Sequence, residues 1–413
     1  MIMNCAQYTG KCVCGREHTL ETKMVVVEYN ALSRFETYME QVGLAGKRRT
    51  VVYDTNVYRL TEGKHIPCDQ EIVLDANGLR SEDVLIEKMM KDLDAPEVIV
   101  AFGAGTIMDF GRYPAYKLGI PFVAVPTLAS SDGFTANICS VILEGQKKSI
   151  PMCAPILVVA DLDIIKGAPA RLVASGINDI LSKYISLVDW RISHLVDGEY
   201  YCHMVAELAQ QALSIMRNAA DVYSETGAAD IEAMTMAQML SGLTMQLLNH
   251  SRAASGAEHL IAHLVEMKPP RFEKAVGIHG ECVGVGTYLC AKKYHELAKK
   301  TPKAKPFEPL SVEWIREKFG DRLADGIVKE NAQDVLGTFD PQNIVDCWED
   351  IRNLISTIPA PETLEKVYQG CNCRYLPEHI GIDPALSEEI LPVSAAIRNR
   401  LTLVRMLRVL DFE

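Results

Sequence analysis

Val98-Ile-Val-Ala-Phe102-Gly103-Ala104-Gly105-Thr106-Ile-Met-Asp109 begins as an unbroken apolar run, breaks on two glycines and continues with apolar residues at helical spacing. A run of this kind reads as a strand buried on both faces that turns directly into a helix. Such a turn presents unpaired backbone N–H groups at a helix N-terminus, where the donors and the dipole favour a pyrophosphate. The third glycine of the dinucleotide fingerprint is missing, so the turn alone fits equally well a tight connection that holds no ligand. A second apolar run, Phe122-Val-Ala-Val-Pro126, ends in Thr127-Leu-Ala-Ser130-Ser131-Asp132-Gly133, whose hydroxyls are suited to line the same crevice. The cofactor-binding set expected from these two strand ends is Gly103, Ala104, Gly105, Thr106 and Asp109 with Thr127 and Ser130.

Further β-branched runs flank this pair, at residues 24–28, 50–54, 71–74 and 156–160, and between them residues 32–42, 81–92 and 106–117 have amphipathic helical patterns. Strands alternating with helices predict parallel pairing through right-handed crossovers, a doubly wound Rossmann-like sheet. Asp54 closes one of these runs, where a carboxylate accepts hydrogen bonds from an adenosine ribose; capping a turn is its other reading, and Thr55-Asn56-Val-Tyr58 does not read as an immediate helix. Beyond Asp161 the long Ala/Leu/Met segments predict an all-helical second half, with Gly167-Ala-Pro-Ala170 at the junction. The expected domains are a Cys-rich extension (1–22), a dinucleotide-binding α/β domain (23–165) and an all-helical metal- and substrate-binding domain (166–413).

The 413 residues, 48% of them hydrophobic, are enough for a substantial core. A net charge of −12 without Lys/Arg blocks argues against a nucleic-acid partner. No apolar stretch reaches membrane-spanning length and the amino end lacks a secretory signature, so a cytoplasmic location without membrane insertion is expected, as a homo-oligomer. Twelve cysteines spread over so long a chain are expected to be mostly reduced and buried. Cys5, Cys12, Cys14 and His18 cluster within the first twenty residues; they suit either a small zinc knuckle or a loose extension or hairpin that holds no ion.

Asp179, in Gly176-Ile-Asn-Asp179, is followed by Glu258-His259-Leu-Ile-Ala-His263 and His279-Gly280. His259 and His263 share one helix face, and Asp179 and His279 reach it only if the chain folds back. One carboxylate and three imidazoles read as an open metal site, because three protein ligands with a vacant position suit a Lewis acid. Lys183, four residues after Asp179, is placed for an ion pair with it, and Glu258 for support of the neighbouring ligand. Asp189, Trp190 and His194 read as packing and helix-surface groups, and Arg252, Lys147, Lys148 and the Ser130-Ser131 turn are the candidates to meet a substrate phosphate, although Lys147 and Lys148 read more readily as a solvated turn pair.

Gly103-Ala-Gly-Thr-Ile-Met-Asp109, Val125-Pro-Thr-Leu-Ala-Ser-Ser-Asp132-Gly133, Gly176-Ile-Asn-Asp179, Ser251-Arg252-Ala-Ala-Ser255-Gly256-Ala-Glu258-His259 with His263, and His279-Gly280 occur in this order. Together they resemble the sn-glycerol-1-phosphate dehydrogenases, a branch of the superfamily that holds iron-containing alcohol dehydrogenases, glycerol dehydrogenase and dehydroquinate synthase. The resemblance runs from about residue 24 to 408. It implies a dehydroquinate synthase-like two-domain fold, NAD or NADP at the glycine turn, and one divalent metal, zinc with nickel or iron also accepted, held by Asp179, His259 and His279. It also implies that Asp132 and His263 contact substrate. Two departures are Ala136, where the family usually carries Ser, and Ala253, where Pro is common.

The reaction so implied is reversible NAD(P)H-linked reduction of a small phosphorylated triose, dihydroxyacetone phosphate, to sn-glycerol 1-phosphate. A dehydrogenase of an unphosphorylated polyol or alcohol such as glycerol is the nearest alternative. A dehydroquinate synthase-like lyase is a more distant one, because no Lys/Arg cluster accompanies His259 and His279.

Overall fold

The computed structural model describes residues 1–143 and 146–413 and divides them into two compact units. One comprises Met1–Gly176, Ser214–Ala219 and Ala229–Ser251; the other comprises Ile177–Leu213, Ala220–Ala228 and Arg252–Glu413. The first boundary falls inside the helix Ala170–Leu181.

The first unit is built on a seven-stranded sheet: β1 (Ile2–Asn4), β2 (Met24–Glu28), β3 (Arg49–Asp54), β4 (Gln70–Leu74), β5 (Val98–Gly103), β6 (Phe122–Pro126) and β7 (Leu157–Asp161). Their spatial order is β1-β2-β7-β6-β5-β3-β4. All pairs are parallel except β1 with β2, which is antiparallel, with Ile2 opposite Val26. The six strands read from the sequence are present, and Val25, Val51, Val100, Val123 and Val159 are fully buried, as expected of a sheet covered on both faces.

Three expectations need correction. The amino-terminal 1–22 segment is no loose extension: residues 2–4 add an edge strand, and Gly10–Lys11 pairs with Glu17–His18 in a small hairpin. Three residues are too short to show period-two patterning, so β1 had no sequence signal. Lys147 and Lys148 do not sit in a turn but on a strand, opposite Ile142 and Val141 in the hairpin Ile138–Leu143/Gln146–Pro151. Thr55 opens a helix directly, Thr55–Leu60, with the Asp54 side chain accepting the Asn56 and Val57 N–H groups.

The second unit is helical apart from one short antiparallel pair, Pro302–Ala304 with Leu410–Phe412. No helix among the described residues is long and apolar enough to cross a membrane. No disulfide joins any of the twelve cysteines.

Candidate functional site

The turn after β5 places Ala104 in extended conformation as the N-cap of the helix Gly105–Leu118, so the first N–H groups of that helix open beyond the carboxyl end of the strand. The loop after β6 runs alongside: a Cβ added at Gly105 would lie 3.9 Å from the Ser131 hydroxyl. Thr127 donates its backbone N–H to the Gly103 carbonyl at 3.2 Å, and its Oγ1 is buried without a hydrogen-bond partner among the described residues. A buried hydroxyl in that condition lacks the bond it would make in water, and a polar group of a ligand at this turn would restore it. Asp109 points elsewhere. It accepts from Ser81 Oγ at 2.7 Å and Cys139 Sγ at 3.3 Å and lies 3.6 Å from Arg112, while burial raises its pKa against the opposing pull of Arg112. It braces the helix from within.

Asp132 is buried on the same loop and accepts from Ser241 Oγ at 2.7 Å, on the helix Ile231–Leu248. That helix comes so close because residue 242 is glycine: a Cβ there would stand 2.3 Å from the Asp132 carbonyl. Gly103, Ala104, Gly105, Thr106 and Thr127 gather at adjacent strand ends, and Ser130 lies on the loop that follows Thr127. Asp54, at the end of β3, uses Oδ1 to cap its helix.

In the second unit, Asp179 lies near the end of the helix Ala170–Leu181, His259 and His263 lie on the helix Ala257–Met267, and His279 opens the helix His279–Leu297. Two glycines bring these helices together. A Cβ at Gly286 would stand 2.3 Å from the Glu258 carbonyl, and one at Gly284 would stand 2.3 Å from Asn178 Nδ2, beside Asp179. Residues two apart on a helix face in nearly opposite directions, so Gly284 and Gly286 seat two different neighbours. The sequence reading passed over this Gly-Val-Gly step, whose signal is small residues inside an otherwise apolar helix. The Gly286→Ala variant is expected to force the helices apart, with a loss of about 2 kcal/mol in stability and at least tenfold weaker metal retention, measured by urea unfolding and metal titration.

The donor atoms of Asp179, His259 and His279 all lie within 4.8 Å of one another. Asp179 Oδ1 stands 3.5 Å from His259 Nε2 and 3.8 Å from His279 Nε2. Two ligand atoms bound tetrahedrally to one zinc-sized ion lie about 3.4 Å apart, so the spacing fits an ion with little adjustment. Both imidazoles are held through the other nitrogen: His259 Nδ1 pairs with Glu258 Oε1 at 2.8 Å and His279 Nδ1 with Glu266 Oε1 at 2.8 Å. A carboxylate on Nδ1 fixes the tautomer that turns a lone pair on Nε2 toward the ion. Glu266, three residues after His263, was not singled out from sequence, because a carboxylate near the end of an amphipathic helix looks like any solvated group. Replacing Glu266 with Ala is expected to weaken metal binding 10- to 100-fold while leaving the fold cooperative, as competition with a chelator measures.

Electrostatics favour a cation here. Burial alone would raise the Asp179 pKa, but Lys183 and His259 outweigh it and hold the carboxyl below its ordinary range. Lys183 stands 3.9 Å from Oδ2 and donates to the Asp179 carbonyl at 2.7 Å. Burial would lower the His259 pKa, and the carboxylates of Asp179 and Glu258 raise it to about 9. Two buried carboxylates thus compensate positive charge at this point. His263 completes the rim, its ring centroid 6.2 Å from that of His259 and 6.1 Å from that of His279.

Asp189 and Arg252 are placed differently from expectation. Asp189 is fully buried and accepts from the Ala257 and Leu403 N–H groups at 2.8 and 2.9 Å and from the Tyr294 hydroxyl at 2.7 Å. Arg252, expected near a substrate phosphate, is buried with Nε 3.0 Å from Glu199 Oε2 and Nη2 on the Leu401 carbonyl. Its fork is used inside the fold. Trp190 is fully buried, as a packing group should be.

The family model described as iron-containing alcohol dehydrogenase matches residues 26–169. Among solved structures, the iron-containing alcohol dehydrogenase of Corynebacterium glutamicum superposes with a TM-score of 0.62, covering 94% of this chain and 95% of its own, at 16% identity. Glycerol dehydrogenase of Schizosaccharomyces pombe superposes with a TM-score of 0.53 over 92% and 94%, at 18% identity. The fold is therefore that of the iron-containing alcohol dehydrogenases. Sequence similarity narrows it: the glycerol-1-phosphate dehydrogenase (NAD(P)+) of Geobacillus stearothermophilus is 31% identical over 418 residues, 97% of this chain and 96% of that one. The enzyme of the same name from Sulfolobus acidocaldarius is 29% identical over 281 residues, 67% of this chain and 79% of that one. The chain belongs to the glycerol-1-phosphate dehydrogenase family.

Proposed function

We propose that the protein is a metal-dependent, NAD(P)-linked polyol-phosphate dehydrogenase that reduces dihydroxyacetone phosphate to sn-glycerol 1-phosphate and runs in reverse when product accumulates. The observation that carries the reading is the trio Asp179, His259 and His279, each imidazole braced by its own carboxylate, in a chain of this family. Those three side chains would hold one divalent ion, zinc by the ligand types, with nickel or iron also accepted. When bound, the ion supplies Lewis acidity toward a carbonyl oxygen and the reduced nicotinamide supplies hydride. Glu258 and Glu266 keep Nε2 of each ligand histidine pointed inward. His263 hydrogen-bonds a substrate hydroxyl and passes a proton, since an imidazole carries both a donor and an acceptor nitrogen. Asp132, steadied by Ser241, contacts the substrate.

For the dinucleotide, the N–H groups at Gly105 and Thr106 receive the pyrophosphate beside Gly103 and Ala104. Thr127 and Ser130 offer hydroxyls, Asp109 braces the helix, and Asp54 meets the ribose through Oδ2. The acidic charge and small substrate fit a cytoplasmic homo-oligomer without a nucleic-acid partner.

The internal use of Arg252 favours a second reading, oxidation of an unphosphorylated polyol or alcohol such as glycerol. One assay separates the two. Turnover of dihydroxyacetone phosphate and of free dihydroxyacetone is measured with NADH and with NADPH, with elemental analysis of the same preparation. A strong preference for the phosphorylated ketone with at least one divalent metal per chain is expected. Turnover confined to the free ketone would sink the phosphate assignment.

A further inference from the structure

We propose a second metal site at the amino end, in which Cys12, Cys14 and His18 bind a zinc-like ion that pins the amino-terminal hairpin to the helix Ile231–Leu248. The ligand atoms of these three residues lie within 4.8 Å of one another, and Cys14 Sγ stands 3.4 Å from His18 Nε2. A thiolate and an imidazole nitrogen on one tetrahedral zinc lie about 3.6 Å apart.

The local chain is shaped for this. Cys12 donates its N–H to the Arg16 carbonyl at 2.9 Å and its carbonyl accepts the Gly15 N–H at 3.0 Å, closing a tight turn across the hairpin. Gly15 takes φ +86°, which only glycine adopts without strain. Val13, between the two cysteines, is 98% exposed, whereas Cys12 and Cys14 are half-buried. His18 sits on the returning strand and is 3% exposed. Its Nδ1 lies 2.8 Å from the Leu247 carbonyl. An Nδ1–H donated to that carbonyl leaves the lone pair on Nε2, facing Cys14, which is the arrangement of a metal-bound histidine with its orienting acceptor. Soft thiolates select zinc over the hard cations, and the pair of sulfurs distinguishes this set from the oxygen and nitrogen ligands of Asp179, His259 and His279.

The same helix end is tied to the amino-terminal segment a second time. Gln246 Oε1 accepts the Glu21 N–H at 3.1 Å, and Gln246 Nε2 donates to Thr22 Oγ1 at 2.7 Å. An ion on Cys12, Cys14 and His18 closes this junction, and the helix it anchors also carries Ser241, the partner of Asp132. The site holds the segment against the sheet and takes no part in hydride transfer.

Cobalt substitution reads the two metal sites apart, because only the cysteine site gives a thiolate-to-cobalt charge-transfer band in the near ultraviolet. The full-length protein is expected to take up two cobalt ions per chain and to show the band. His259→Ala is expected to lose one ion and keep the band; Cys14→Ser is expected to lose one ion and the band, and to unfold at lower temperature. Should Cys14→Ser not fold, X-ray absorption at the zinc edge of the unmodified protein decides. A zinc shell containing sulfur at about 2.3 Å supports the site. One ion per chain with only nitrogen and oxygen neighbours, or no band at saturating cobalt, overturns it.

Discussion

Asp179→Ala is expected to abolish metal retention at the Asp179, His259 and His279 site and to lower turnover by a factor of about 10³ or more, since it removes both a ligand and the charge that draws the ion in. Asp179 is fully buried and is the carboxylate that both His259 Nε2 and His279 Nε2 approach. The change also leaves the fully buried Lys183 ammonium without its carboxylate, which adds a stability loss of about 3 kcal/mol. Elemental analysis after dialysis against chelator separates the two effects. A variant that unfolds at lower denaturant but still holds metal and turns over at the parental rate would refute the site.

The second large effect is expected at Asp189. Asp189→Ala strands the Ala257 N–H, the Leu403 N–H and the Tyr294 hydroxyl together, with a loss of about 4 kcal/mol. Ala257 is the first residue of the helix that carries His259 and His263, so the damage reaches the metal ligands. The carboxyl also has a distinctive pH signature. Burial, with the nearby charge of Glu258, raises its pKa to about 6, partly opposed by the Leu403 and Ala257 N–H groups. The folded pKa lies above the unfolded one, near 4, so between the two values the folded chain holds the extra proton. Its contribution is therefore present in full below about pH 4 and falls away as pH rises through 6, by about 3 kcal/mol. Asp189→Asn lacks this titration. Unfolding of the two proteins in urea at pH 4.5 and pH 7.5 should show the parent's advantage shrinking at the higher pH; parallel pH profiles would show that Asp189 does not titrate in this range.

Much of the first unit was legible because strand runs such as Val98–Gly103 and Phe122–Pro126 are buried on both faces and so are apolar throughout. What escaped was short or local: the edge strand Ile2–Asn4, and the helix Thr55–Leu60, which follows its Asp54 cap without an intervening apolar pattern. At the metal site, the sequence offered Asp179, His259, His263 and His279 as a set. It could not show that Glu266 braces His279, since the two are thirteen residues apart and belong to different helices. Arg252 looked like an anion receptor because its charge is visible and its partner Glu199 is not, fifty-three residues away in the chain.

Residue types and their order, taken alone, determined the sheet class, the glycine turn and the identity of the candidate ligands, since these depend on local patterning and on intrinsic donor chemistry. Tertiary structure alone decided which charged groups are turned inward. Asp189, Asp109 and Arg252 are buried among partners distant in sequence. The reason is steric as well as electrostatic: Gly284 and Gly286 allow helices to meet at backbone distance, and that approach, whose partner helix the Gly-Val-Gly step does not name, sets where each carboxylate finds its proton, its partner or its ion.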